Sequence, residues 1–152
     1  MIRKLAMLVL LLGVVGIVMG AVFVGLAVAR NNQLVEAMRV EQVILPLHPE
    51  EPDEPPSVID SAGEAQAAGD LIREHRRGIA PTYQDLLGEG RYDPTNPRHL
   101  SYAQALNMEN YLYLAVIGFG LTQSVMASGA FMIITGIALG ATGVVLLRVP
   151  KE

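Results

Sequence analysis

Two stretches without a charged side chain, residues 5–29 and 110–147, bracket a middle in which polar and charged residues are dense. They run for 25 and 38 residues, and about 20 apolar residues suffice to cross a bilayer core. Each stretch therefore predicts a membrane-spanning helix, and the polar middle must leave and re-enter on the same side. The fold expected is an all-α membrane protein. Two transmembrane helices form an antiparallel hairpin that carries a small, mostly helical extracytoplasmic cap. The second helix is long and extends outside the bilayer, because the 37 residues from Tyr111 to Leu147 would reach about 55 Å as a helix against a core near 30 Å.

The polar Gln123 and Ser124 place the second span at residues 125–147 and leave residues 102–124 as its extracytoplasmic part. A break at Gly118-Phe-Gly120, with Tyr111 to Leu121 lying in the interface, is the alternative, and Tyr102, Tyr111 and Tyr113 suit either. The remaining organisation follows from composition. Residues 1–4 form a cytoplasmic tail, 5–29 the first span, 30–45 a juxtamembrane helix or a strand such as Met38 to Leu45, and 46–58 a proline- and acid-rich loop. Residues 59–101 form the helical cap and residues 148–152 a second cytoplasmic tail. The first span also has features of a secretory signal, with Arg3 and Lys4 at its start and Ala27-Val28-Ala29 as a small-x-small site. Its 25-residue apolar run exceeds the roughly 7–15 of a signal core, which favours an uncleaved anchor.

Within the cap, local chemistry sets the helix ends. Ser61-Ala-Gly-Glu64 is a capping box, predicting a helix from about Ala62 to Arg77 closed by Gly78, with Ala68, Leu71, Ile72 and His75 on its inner face. Thr82-Tyr-Gln-Asp85 predicts a short helical turn to Leu87, and residues 88–97 are rich in turn formers. Ser101-Tyr-Ala-Gln104 reads as a third box that launches the final helix.

Small residues recur every seventh place on both spans: Ala6, Gly13, Gly20 and Ala27 on the first, and Ala115, Thr122, Gly129, Gly136 and Gly143 on the second. Gly16 and Gly140 complete the small-xxx-small pairs Gly16-Ile-Val-Met-Gly20 and Gly136-Ile-Ala-Leu-Gly140. Lipid gives helices no hydrophobic drive to associate, so close backbone approach over small side chains must supply dispersion contact. A period of seven describes a shallow, left-handed crossing. These eleven residues are the candidate helix-packing site, within one chain or between chains. Gly25, Gly118, Gly120, Ala127 and Ala141 lie off this seam and could receive a neighbour.

Charge is unevenly shared: residues 30–109 hold 7 basic and 14 acidic side chains, while the two ends hold 4 basic and 1 acidic. Lys and Arg collect on cytoplasmic flanks, so both termini are expected inside and residues 30–124 outside, in the inner or plasma membrane of the cell. An acidic exterior disfavours nucleic acid, whose phosphates need a clustered basic face. The chain has no cysteine, which excludes disulfides and thiolate metal sites.

No arrangement of residues carries a recognisable chemistry. His48, His75 and His99 match no ligand spacing, so no metal or cofactor is expected. Arg73, Arg76 and Arg77 sit where a helix C-terminus favours positive charge, and the acidic run from Glu50 to Glu54 is broken by prolines that forbid a rigid cation cage. No serine has a nucleophile-elbow context. The second span holds no ionisable group, as a proton or ion path would require. The expectation is a non-enzymatic protein whose partners are membrane lipid and other membrane subunits or itself, acting as an accessory subunit or self-associating scaffold. The alternatives are an extracytoplasmic binding or sensing module, with a pocket under Leu71, Ile72, Tyr83 and Tyr92, and a metal-dependent enzyme that would converge His75, His99 and an acid.

Glu64-Ala-Gln66, Ile72 through His75, Thr82-Tyr83, Asp93-Pro94 and the run Ala115-Val-Ile-Gly-Phe-Gly120 leading into a Gly-rich span together resemble a family of small actinobacterial-type two-span membrane proteins. The resemblance implies an amino-terminal span, an external loop with a short helix, and a second span. Members are often labelled aromatic ring-opening dioxygenases, but this chain lacks the clustered histidines and carboxylate of a non-haem iron site. The family has no settled function or active residues, so the resemblance carries none over.

Overall fold

The structure, a computed structural model, describes residues 2–40, 44–45 and 57–148. The loop expected at 46–58 lies outside the described residues except for Ser57 and Val58, as does His48. The elements are α1 (Ile2–Val40), β1 (Ile44–Leu45), β2 (Ser57–Val58), α2 (Ala62–Ile79), α3 (Tyr83–Leu87) and α4 (Pro97–Arg148). The fold is helical, and the two short strands pair antiparallel, Ile44 with Val58 and Leu45 with Ser57.

Two compact units divide the chain: residues 33–120 form one, and the rest of α1 and α4 forms the other. The second unit is a hairpin of two helices long and apolar enough to cross a membrane. Only 11% of the most apolar window of either helix is buried within the chain. The buried residues of α1 are Ala6, Gly13, Gly20 and Ala27, and α4 matches them with buried Thr122, Gly129, Gly136 and Gly143. Large apolar side chains such as Leu11, Val18, Phe131 and Ile134 point outward.

Unit 33–120 is organised by local polar chemistry. At the start of α2, Ser61 Oγ accepts from the Glu64 N–H, and Glu64 Oε2 reaches back past the cap to accept from the Asp60 N–H at 3.0 Å. Thr82 caps α3 in the same way, accepting from the Asp85 N–H at 3.1 Å. α3 ends at Gly88, whose φ of 58° is a backbone state that a side chain would strain. One core joins Ile59, Ala65, Ala68, Leu112, Ala115 and Phe119, with Leu34, Val35, Met38 and Ile72 packed on it. Another joins Ala80, Leu86 and Tyr102.

Three expectations are corrected here. α4 begins at Pro97, not at the Ser101 box, because Asn96 accepts from the Arg98 N–H at 2.9 Å and proline fits the first helical position. The residues Ser101 to Gln104 are helix interior. α2 continues through Gly78 to Ile79 and stops at Ala80 in an extended conformation, so Gly78 terminates nothing. Its buried face is Ala65, Ala68, Gly69 and Arg76, which leaves His75 exposed. The two open choices also resolve: α1 stays helical to Val40 with Ile44–Leu45 a short strand beyond it, and α4 passes through Gly118-Phe-Gly120 without a break.

Candidate functional site

Apart from Ala115, the small-residue positions lie on α1 and α4 of the hairpin, and at Gly13, Gly20, Gly129, Gly136 and Gly143 the approach is to the backbone of the opposite helix. A methyl group on Gly13 would sit 2.6 Å from the Gly140 nitrogen and 2.7 Å from the Gly136 oxygen, and one on Gly20 would sit 2.5 Å from the Gly129 oxygen. Gly136 and Gly143 are equally confined, against Gly13 and Ile17 and against Leu10. Gly16 has more room, its nearest neighbour being 3.4 Å away. Gly140 presents its backbone to Gly13, but its own hydrogens face open space, since a methyl there would meet nothing within 4 Å. Thr122 is buried and donates to Asn31 Oδ1 at 3.2 Å.

Ala115 belongs to the core of unit 33–120 and not to the hairpin. Among the off-seam residues, Gly118 is occupied, with Leu34 3.2 Å from where a methyl would stand. Gly25 has nothing within 4 Å, and Ala127 and Ala141 are exposed.

The strongest polar cluster was not foreseen. Arg76, read from sequence as surface charge complementing a helix dipole, is buried and holds Glu109 through Nε to Oε2 at 2.6 Å and Nη2 to Oε1 at 3.4 Å. Its Nη1 donates to the Tyr102 hydroxyl at 2.5 Å, and its guanidinium lies 5.0 Å from the Tyr102 ring centre. The hydrogen bond with Glu109 raises the Arg76 pKa above its ordinary value. A second contact crosses the same helices: Tyr113 lies over Gly69 and donates to Asp70 Oδ1 at 2.7 Å. That hydrogen bond, followed by one from Gln66, pulls the Asp70 carboxyl below its ordinary 3.8, while burial first and then Asp70 push the Tyr113 phenol up. Glu109 is the lone acidic residue of α4, and in sequence it carries no sign of which arginine it meets.

A groove of about 430 Å³ opens along α4 beside Tyr83. Ala103, Leu106, Asn107 and Asn110, one stripe along the helix, line one wall, and Tyr83 and Tyr92 form the other. Leu71 and Ile72, expected beneath the two tyrosines, do not line it. Tyr83 leans on Tyr102 with ring centres 6.1 Å apart, and Tyr92 stacks on His99 at 5.8 Å. The loop that presents Tyr92 is shaped by its own residues: the Asp93 N–H donates to His99 Nδ1 at 3.0 Å, and Asp93 Oδ1 accepts from Thr95 N and Oγ1. Arg98 seals the neighbouring end of α2 by donating to the Ile79 carbonyl.

His75 is exposed and His99 is engaged with Asp93, so the convergence expected of a metal enzyme is not formed by them. Among the described residues no group of three His, Asp or Glu side chains could hold a metal ion. Compared with protein families, curated proteins and solved structures, the chain matches nothing.

Proposed function

We propose that this is a two-span membrane protein with both termini cytoplasmic and the polar residues between its spans outside, serving as an accessory subunit or self-associating scaffold without chemistry of its own. The observation that carries this reading is the exposure of the apolar helices. A core helix of a soluble protein would be mostly covered, whereas here 11% of each apolar window is. Contiguous apolar surface of that extent is stable only against lipid or other apolar helices. A cleaved signal would have no reason to present Gly13 and Gly20 at the depth of a backbone contact with Gly136 and Gly129, which favours a retained anchor. The family resemblance points to the same two-span arrangement.

Purification in mild detergent followed by mass measurement tests the role. A ring or a co-purifying complex is the expected result. A lone monomer, together with unchanged thermal stability in Gly136→Leu, would overturn it. Topology is open to a direct check because the chain has no native cysteine. Cysteines introduced at Arg3 and Lys151 should resist an impermeant thiol reagent in intact cells, while one at Glu89 should react.

A second reading is favoured by the groove at Tyr83 and Tyr92: the outer unit binds a ligand while the spans anchor it.

A further inference from the structure

The geometry points to the groove between α4 and the Tyr83 and Tyr92 rings as a binding site for an uncharged saccharide; this rests on the reading of the outer unit as a binding module. Three observations select that ligand class. Among the described residues no charged side chain lines the groove, so nothing in that lining would pair with an anion or a cation. Its two rings are each braced on one side, Tyr83 by Tyr102 and Tyr92 by His99, and both remain part-exposed, which leaves preformed aromatic surface of the kind that covers the apolar C–H face of a sugar ring.

The third observation is the pair Asn107 and Asn110. Both side chains are exposed at the groove and neither has a hydrogen-bond partner among the described residues, so their amides stand in solvent, free to meet a ligand. They lie three residues apart on one face of α4, which presents the two amides side by side. An amide offers donor and acceptor together, and so does every sugar hydroxyl. A proline-rich peptide would offer mainly carbonyl acceptors and use half of each amide, and an apolar molecule would leave both unpaired. The groove's volume of about 430 Å³ is open enough for one or two sugar rings of a longer chain.

The test uses the full chain, isotopically labelled in lipid nanodiscs, with side-chain amide resonances of Asn107 and Asn110 assigned from the single Ala variants. The probes are maltotriose, cellotriose and N-acetylated chitotriose, with a proline-rich decapeptide as competitor class. One of the saccharides is expected to shift both amides saturably. Asn107→Ala and Asn110→Ala should each weaken that binding by about tenfold, the scale of one lost hydrogen bond, with helix content unchanged. Shifts produced by the decapeptide alone would overturn the saccharide assignment and leave the binding-module reading standing. Saccharide binding indifferent to both Ala variants would place any site elsewhere and overturn the proposal. Silence with every probe would remove both the assignment and the reading beneath it.

Discussion

A methyl group added at Gly13 would drive into the backbone of the opposite helix, 2.6 Å from the Gly140 nitrogen, whereas one added at Gly69 would meet the Tyr113 ring at 3.0 Å. The two glycines stand for two ways of holding helices together in one molecule. In the hairpin the side chains withdraw until peptide groups touch, and dispersion between backbones is what remains. In residues 33–120 the small residue instead makes room for a large one, and Tyr113, Tyr102, Arg76 and Glu109 do the joining. The solvent each region suits explains the difference. On the proposed two-span reading, lipid supplies no hydrophobic drive and penalises unpaired charge, so contact area at the backbone decides; beside water, apolar burial and charge-assisted hydrogen bonds are both productive.

The comparison breaks most readily at Glu109. Glu109→Ala leaves the buried Arg76 guanidinium without its carboxylate, with only the Tyr102 hydroxyl to meet it, and should destabilise residues 33–120 by about 3 to 5 kcal/mol, as read by hydrogen exchange of α2 amides. Replacing both partners, Arg76→Met with Glu109→Leu, should recover most of that loss, since it removes the orphaned charge. In the hairpin, Gly13→Ala should cost about 1 to 3 kcal/mol through forced separation of the helices, while Gly140→Ala should stay within about 0.5 kcal/mol. Equal effects of those two in thermal unfolding in detergent would disprove the backbone-contact account.

Ser61→Ala should cost about 1 kcal/mol in α2 by removing the cap on the Glu64 N–H. Asn107→Ala and Asn110→Ala should each stabilise α4 by about 0.5 kcal/mol, because alanine is the better helix former and no internal partner is lost; a decrease would mean the amides serve the fold. The smallest effect concerns acid. The folded Asp70 and Asp93 carboxyls lie below their ordinary 3.8, so their contribution is present above that pH and is lost as the pH falls below it through the lowered values. Tyr113→Phe should shrink the Asp70 part of that acid loss in a pH series of unfolding curves.

How legible each region is in sequence follows from the range of its interactions. The period of seven in Ala6, Gly13, Gly20 and Ala27 is a one-dimensional pattern, and Thr122, Gly129, Gly136 and Gly143 repeat it in α4, so these buried positions can be picked out without knowing the fold, whereas Ala115, in the same register, belongs to the core of residues 33–120. Gly140 departs from that pattern because membership of a small-xxx-small pair does not say which way a residue's hydrogens point. The Ser61 and Thr82 caps are equally local, each reaching only three residues. Ser101 mimics them and is nonetheless interior, because the Asn96-Pro97 pair upstream is the better start. The Arg76 to Glu109 pair joins residues 33 apart, and three neighbouring arginines gave no local reason to choose the middle one. Only the helical phase of Ala65, Ala68, Gly69 and Arg76 singles it out. The groove was half visible, through Tyr83 and Tyr92, but its second wall depends on α4 turning Asn107 and Asn110 toward them.

Glycine has no rotamers to surrender. When Gly13 and Gly20 come against Gly136 and Gly129, the glycines themselves lose no side-chain torsion, and among the side chains ordered beside them are Ile17, Val24 and Ile133, whose branching already restricts them. A seam of leucines would lose roughly 0.5 to 1 kcal/mol of such freedom for each residue ordered. Docking of the hairpin therefore surrenders less configurational freedom at its glycines than a leucine seam would.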